Sequence, residues 1–148
     1  MTPDVDGLLR TSFLTLVGEV APALGGYLAG SAGAIGALLF MAAAEYERGA
    51  DIRVAENAEM RALLAEGASL VAYADLAGRL RAGASESDPS LRISDLNAAN
   101  DRLARLLIEL QAAVEEMPQA GAFEMKIWVY LTKAADRRKL PHPAELAG

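Results

Sequence analysis

The sequence predicts an all-α protein, a compact bundle of five to six helices around a buried Gly/Ala-rich central helix. Three observations predict it. Of the 148 residues, 53% are apolar but only 5% aromatic, so the interior must be built from Ala and Leu. Both lose little side-chain entropy in a helix. Apolar residues recur at steps of three and four along most of the chain, and no segment alternates as a strand does. From Val20 to Ala44, between Glu19 and Glu45, there is no charged side chain. The length predicts one domain, 1–148, with a tail that frays from about residue 140.

Thr2-Pro3-Asp4 predicts the first helix start: a capping hydroxyl, proline at the first helical position, then an acid. Val5, Leu8, Leu9, Phe13, Leu16, Val17 and Val20 follow at helical spacing, and Pro22 predicts the end. The uncharged run supplies the second helix, broken early by Gly25-Gly26 and continuing through Glu45, Tyr46, Glu47 and Arg48. Gly49 either ends it or lies inside one long helix. Residues 51–66 read as a more polar helix at the surface, closed by Gly67. A short helix follows, with Leu70, Val71, Ala74, Ala77 and Leu80 inward. GASESDPSLRIS, between Gly83 and Ser94, reads as a polar connection with some mobility.

Ser94 is the expected cap of the clearest helix. Leu96, Leu103, Leu107, Leu110, Val114 and Met117 share one stripe, widened by Ala99, Leu106 and Ala113. Asp101, Arg105 and Glu109 stand four apart on the opposite, solvated face. Pro118 and Gly121 close it. The last helix, Ala122 to about Arg138, is apolar on two sides. Phe123, Ile127, Tyr130 and Ala134 form one stripe; Met125, Trp128 and Val129 point away from it. That second side predicts cover by another subunit. Lys133, Arg137, Arg138 and Lys139 complement the helix dipole at its end.

The uncharged run is long enough to span a bilayer. It is nevertheless read as protein-wrapped, because it is interrupted by glycine, thin in bulky aliphatics and without flanking basic clusters. Gly26, Gly30, Gly33, Ala37 and Ala44 form a nearly bare face for close backbone approach, with Leu24, Leu28, Ile35 and Leu38 as a separate bulky stripe.

Chemistry-bearing patterns are sparse. A net charge of −6 argues against nucleic acid, and the absence of cysteine removes disulfides and thiolate chemistry. Asp4 and Asp6 stand where an export signal is positive, so a cytoplasmic protein is the default expectation. Ala29-Gly30-Ser31-Ala32-Gly33, with Asp136 and His142 later, matches a relaxed nucleophile elbow in composition, but no strand precedes it. Gly25 and Gly30-Ser31 have the spacing of a phosphate loop without its lysine. Glu56 and Glu59 are one turn apart, yet no second carboxylate pair completes a cation site; they read as solvated surface acids. Among Asn57, Asn97 and Asn100, Asn100 flanks the leucine stripe and needs a buried partner or a ligand.

No cofactor or metal is implied. The function expected is non-catalytic association, as a homodimer through Met125, Trp128 and Val129. One alternative is a protein or enzyme holding a small apolar ligand between helices, with Tyr27, Tyr46, Tyr73 and Asn100 as polar contacts. The other is a single-span membrane protein.

Overall fold

The computed structural model describes residues 4–140, and these are helical nearly throughout. Two compact units emerge where the sequence suggests one domain. Of the described residues the first takes in 4–49 together with Leu140, and the second is Ala50–Lys139.

In the first unit Asp4, not the Thr2-Pro3 pair that lies outside the described residues, caps α1 (Val5–Thr15), accepting from the Gly7 amide at 3.0 Å. A π-helical turn, Leu16–Val20, leads into the short α2, Ala21–Ala23. Pro22, which has no N–H to give, sits just beyond that wide turn. Gly26 reverses the chain at φ 54°, a backbone setting that glycine adopts without steric cost, and opens α3, Gly26–Gly67. α3 is continuous through Gly49; its first half belongs to the first unit and its second half to the other.

α1 runs antiparallel along the first half of α3. Phe13 meets Phe40 with ring centroids 5.3 Å apart, and a Cβ on Gly36 would stand 2.8 Å from Val17 Cγ2. The covered side of α3 is therefore Ala32, Gly36, Phe40, Ala43 and Ala44. This corrects the expected glycine face, since Gly30 and Gly33 have no neighbour within 4 Å of a Cβ position. Nor is this part of the helix buried all round: Tyr27, Leu28, Ile35, Leu38 and Met41 are all exposed. One partner helix covers one side of a cylinder and leaves the rest bare.

The second unit packs the second half of α3 with α4 (Ala74–Ser85), α5 (Ile93–Glu115) and α6 (Gly121–Arg137). Its core holds Met60, Leu64, Leu80, Leu103, Leu110 and Ile127, each fully buried. Burying each such side chain is worth about 1.5–3 kcal/mol. Residues 51–66 are thus not a surface helix: Met60, Leu63 and Leu64 line the core on a turn-by-turn stripe. Gly67 ends α3 as expected, and a Cβ there would collide with Leu110 on α5. α4 begins at Ala74, later than its pattern suggests, which leaves Leu70 exposed and Val71 buried in the turn. The α5 stripe from Leu96 to Val114 is buried, but Ser94 lies one residue inside the helix. Ser90 receives the Arg92 amide and donates to Asp95 instead. Glu109 pairs with Arg79 of α4 at 2.6 Å.

Candidate functional site

Polar groups gather in the second unit where α3, α5 and α6 meet. Glu56 and Asn57 lie on the core side of α3, 1% and 0% exposed. The expectation of a solvated acid fails for Glu56, while Glu59 stays partly exposed; the end of α6 brings Arg138 onto Glu56 and Arg137 onto Glu59. Arg138 donates to both Glu56 oxygens, Nε at 2.9 Å and Nη2 at 2.5 Å. Arg137 forks onto Glu59 at 2.9 and 2.5 Å. The basic cluster at the end of α6 therefore clasps α3 as well as complementing its own dipole.

Asn100 completes the cluster from α5. Its amide donates to Asn57 Oδ1 at 2.9 Å and to Glu56 Oε2 at 3.2 Å. Asn57 in turn donates to Asp88 Oδ1 at 2.8 Å and to the Leu96 carbonyl at 3.3 Å. Asp88 also receives Arg61 at 2.6 Å, so the polar connection between α4 and α5 is pinned to α3 at this point. Arg53 bonds Asn97 nearby.

The electrostatics follow from these bonds. Arg61, and secondarily Asn57, hold the Asp88 carboxyl below its ordinary range against the opposing effect of burial. Arg137 does the same to Glu59. The Tyr130 phenol is pushed up to about 12, first by burial and then by the Glu56 charge. Every oxygen of Glu56 and Asp88 accepts from at least one donor, so both carboxylates are held within the cluster. Among the described residues no group of three or more His, Cys, Asp or Glu could hold a metal ion.

Two grooves flank the cluster. One, of about 270 Å³, is walled by Met60, Leu107, Ile108 and Leu131, with Glu56, Asn100, Tyr130 and Arg138 among its lining residues. The other, of about 360 Å³, runs between α3 and α6 over Leu63, Met125, Val129 and Tyr130, edged by the Lys126–Glu66 pair at 2.6 Å.

The other residues singled out from sequence are spread apart. Tyr27 is 88% exposed and Tyr46 61%, so neither is a buried polar contact; Tyr73 is exposed too. Each stands on a helix side or turn that no neighbour covers. Met125, Trp128 and Val129 share an exposed face of α6, where Trp128 Nε1 reaches Glu124 at 3.4 Å. Ser31 lies within a helix and donates to the Tyr27 carbonyl at 3.1 Å, which excludes a nucleophile elbow. His142 lies outside the described residues. What sequence reasoning missed is the Glu56–Arg138 pair. Its signal was the Glu56-Asn57 dipeptide directly before Met60, Leu63 and Leu64 on one helical stripe.

No family model, curated protein or solved structure matches the chain.

Proposed function

We propose that this is a non-catalytic helical protein that acts by self-association, as a homodimer. The observation that carries the proposal is the bare side of α3 in the first unit. Tyr27, Leu28, Ile35, Leu38 and Met41 are exposed along a stretch with no charged residue from Gly26 to Ala44. An apolar face of that extent on a folded chain calls for a cover. A second copy would make this half of α3 the buried Gly/Ala-rich centre of a bundle. The polar cluster of the second unit bonds largely to itself, which suits a role in fixing helix register.

Lipid is the rival cover, favoured by one observation. Tyr27 and Tyr46 bracket the run about 28 Å apart at 1.5 Å per residue, close to the thickness of a hydrocarbon core. The outer side of α1 argues against it. Thr11, Ser12, Thr15 and Glu19 are all exposed there. Since Val17 meets Gly36 in an antiparallel pair, Glu19 stands about level with Ala34, near mid-depth of any span. A carboxylate at that depth costs about 2.5–3.5 kcal/mol. A spanning hairpin meets lipid on all sides, whereas α1 and the π-helical turn after it mix these polar residues with exposed Leu8, Leu14 and Val17. An interfacial helix also needs a basic polar face, which α1 lacks. A protein cover fits Glu19 and the hydroxyls of this mixed surface better, and the default cytoplasmic placement is kept as part of the proposal.

A ligand in the Asn100 groove is weaker, because Glu56, Asn100 and Arg138 there already bond one another. The Trp128 face is the second surface on which a copy can dock. Light scattering in detergent-free buffer at tens of micromolar should give twice the chain mass. Leu38→Glu should return a folded monomer, by bringing an uncompensated charge to the contact. Trp128→Glu should leave the dimer intact. A monomeric wild type sinks the proposal, and dissociation by Trp128→Glu alone moves the dimer to α6.

A further inference from the structure

We infer that the second copy docks end for end, α3 antiparallel to α3, about a twofold axis at the level of Gly36. The inference rests on the self-association reading and adds its geometry. The side of α3 turned away from α1 carries Tyr27, Ser31, Ala34, Leu38, Met41 and Glu45, at steps of four, three, four, three and four. That is a seam of the kind two helices share. Ser31 is half-buried and the others are exposed.

Large and small residues are unevenly distributed along this seam. Between its ends it is small on the N-terminal side of Gly36, at Ser31 and Ala34, and bulky on the C-terminal side, at Leu38 and Met41, with exposed Leu28 and Ile35 flanking it on one side. Turning one copy about Gly36 sets Ala34 against the partner's Leu38 and Ser31 against the partner's Met41. Each bulky side chain then fills the space left by a small one. Tyr27 falls opposite the partner's Glu45. The parallel alternative stacks Leu38 on Leu38 and Met41 on Met41, and leaves Ala34 facing Ala34 across a gap.

Charge agrees with size. The first turn of α3 contains no acidic residue, although the amides there form the positive end of the helix dipole. The antiparallel pairing brings the partner's Glu45 to that end, twice by symmetry. The parallel pairing instead sets Glu45 against Glu45. The outer face of α1, where Leu8 stands among Thr11, Ser12, Thr15 and Glu19, stays outside the antiparallel contact.

The chain contains no cysteine, so introduced thiols report their own positions alone. Ser31→Cys is mixed with Met41→Cys, and Ala34→Cys with Leu38→Cys, in the full chain under mild oxidation, with circular dichroism to confirm helicity. Each mixed pair should form disulfide dimers at least about tenfold faster than either variant alone, because pairing holds the two thiols at millimolar effective concentration. Faster linking of each variant to itself overturns the antiparallel geometry and keeps self-association. A dimer by light scattering that links at none of the four positions places the contact elsewhere and also overturns it. A monomeric wild type removes the parent reading as well. So does flotation of the unlinked protein with phosphatidylcholine vesicles, which assigns the face to lipid.

Discussion

Replacing Arg138 with methionine strips the guanidinium from a buried carboxylate. Glu56 is 1% exposed and receives Arg138 at 2.9 and 2.5 Å and Asn100 at 3.2 Å. Without the arginine, one amide remains to solvate a full negative charge. Breaking one side of a buried pair costs roughly 3–5 kcal/mol. The Arg138 side chain is itself 53% exposed, so water reaches its end of the pair. That places the expected loss at the lower limit, about 3 kcal/mol. With a urea slope of about 2 kcal/mol/M, the unfolding midpoint falls by about 1.5 M. The assay is urea unfolding of the full chain followed by fluorescence of Trp128, the single tryptophan, which lies on α6 of the second unit. The double variant Glu56→Met/Arg138→Met removes both charges at similar volume, and should lie within about 1 kcal/mol of wild type. A loss below about 1 kcal/mol for the single variant, or a double variant no more stable than the single, would show that the pair is not a closed interior contact.

Acid should weaken the second unit through Asp88 and Glu59, whose carboxyls are held below their ordinary values by Arg61 and Arg137. A folded-state value below the unfolded one means stabilisation that is complete above the ordinary carboxylate range and is lost as pH falls through the folded value. Thermal midpoints should therefore drop below about pH 4.5, and Asp88→Asn should flatten that slope while lowering stability at neutral pH; an unchanged slope contradicts the assignment. Gly67→Ala puts a methyl into the fully buried Leu110 and should cost about 1–3 kcal/mol by overpacking. Leu110→Ala alone should cost about 2–5 kcal/mol, and the two together less than their sum, because the new methyl enters the space the leucine vacates. Strict additivity in denaturant melts would show that α3 and α5 do not touch at Gly67.

The core stripes were legible because helical periodicity is local. Leu96, Leu103, Leu107, Leu110 and Val114 on α5, and Phe123, Ile127 and Tyr130 on α6, are buried where their spacing puts them. The exposed side of α6 at Met125, Trp128 and Val129 was legible for the same reason. The polar cluster was not. A carboxylate on a helix reads as surface until a cation arrives, and the cation for Glu56 comes from 82 residues further along the chain. Asn100 could be marked as needing a partner, but its partners Asn57 and Glu56 lie on another helix.

By itself the sequence determined that the chain is helical, where most helices break, and which faces of α5 and α6 turn inward. Composition and period act within a few residues and need no knowledge of the rest of the chain. Only the tertiary structure decided which side of α3 is covered. Its glycines and alanines look alike on every face, and the choice of Gly36 over Gly30 and Gly33 was made by Phe13 and Val17 of α1 packing there. The side they leave bare, from Tyr27 to Met41, follows from that choice and sets the question of what covers it.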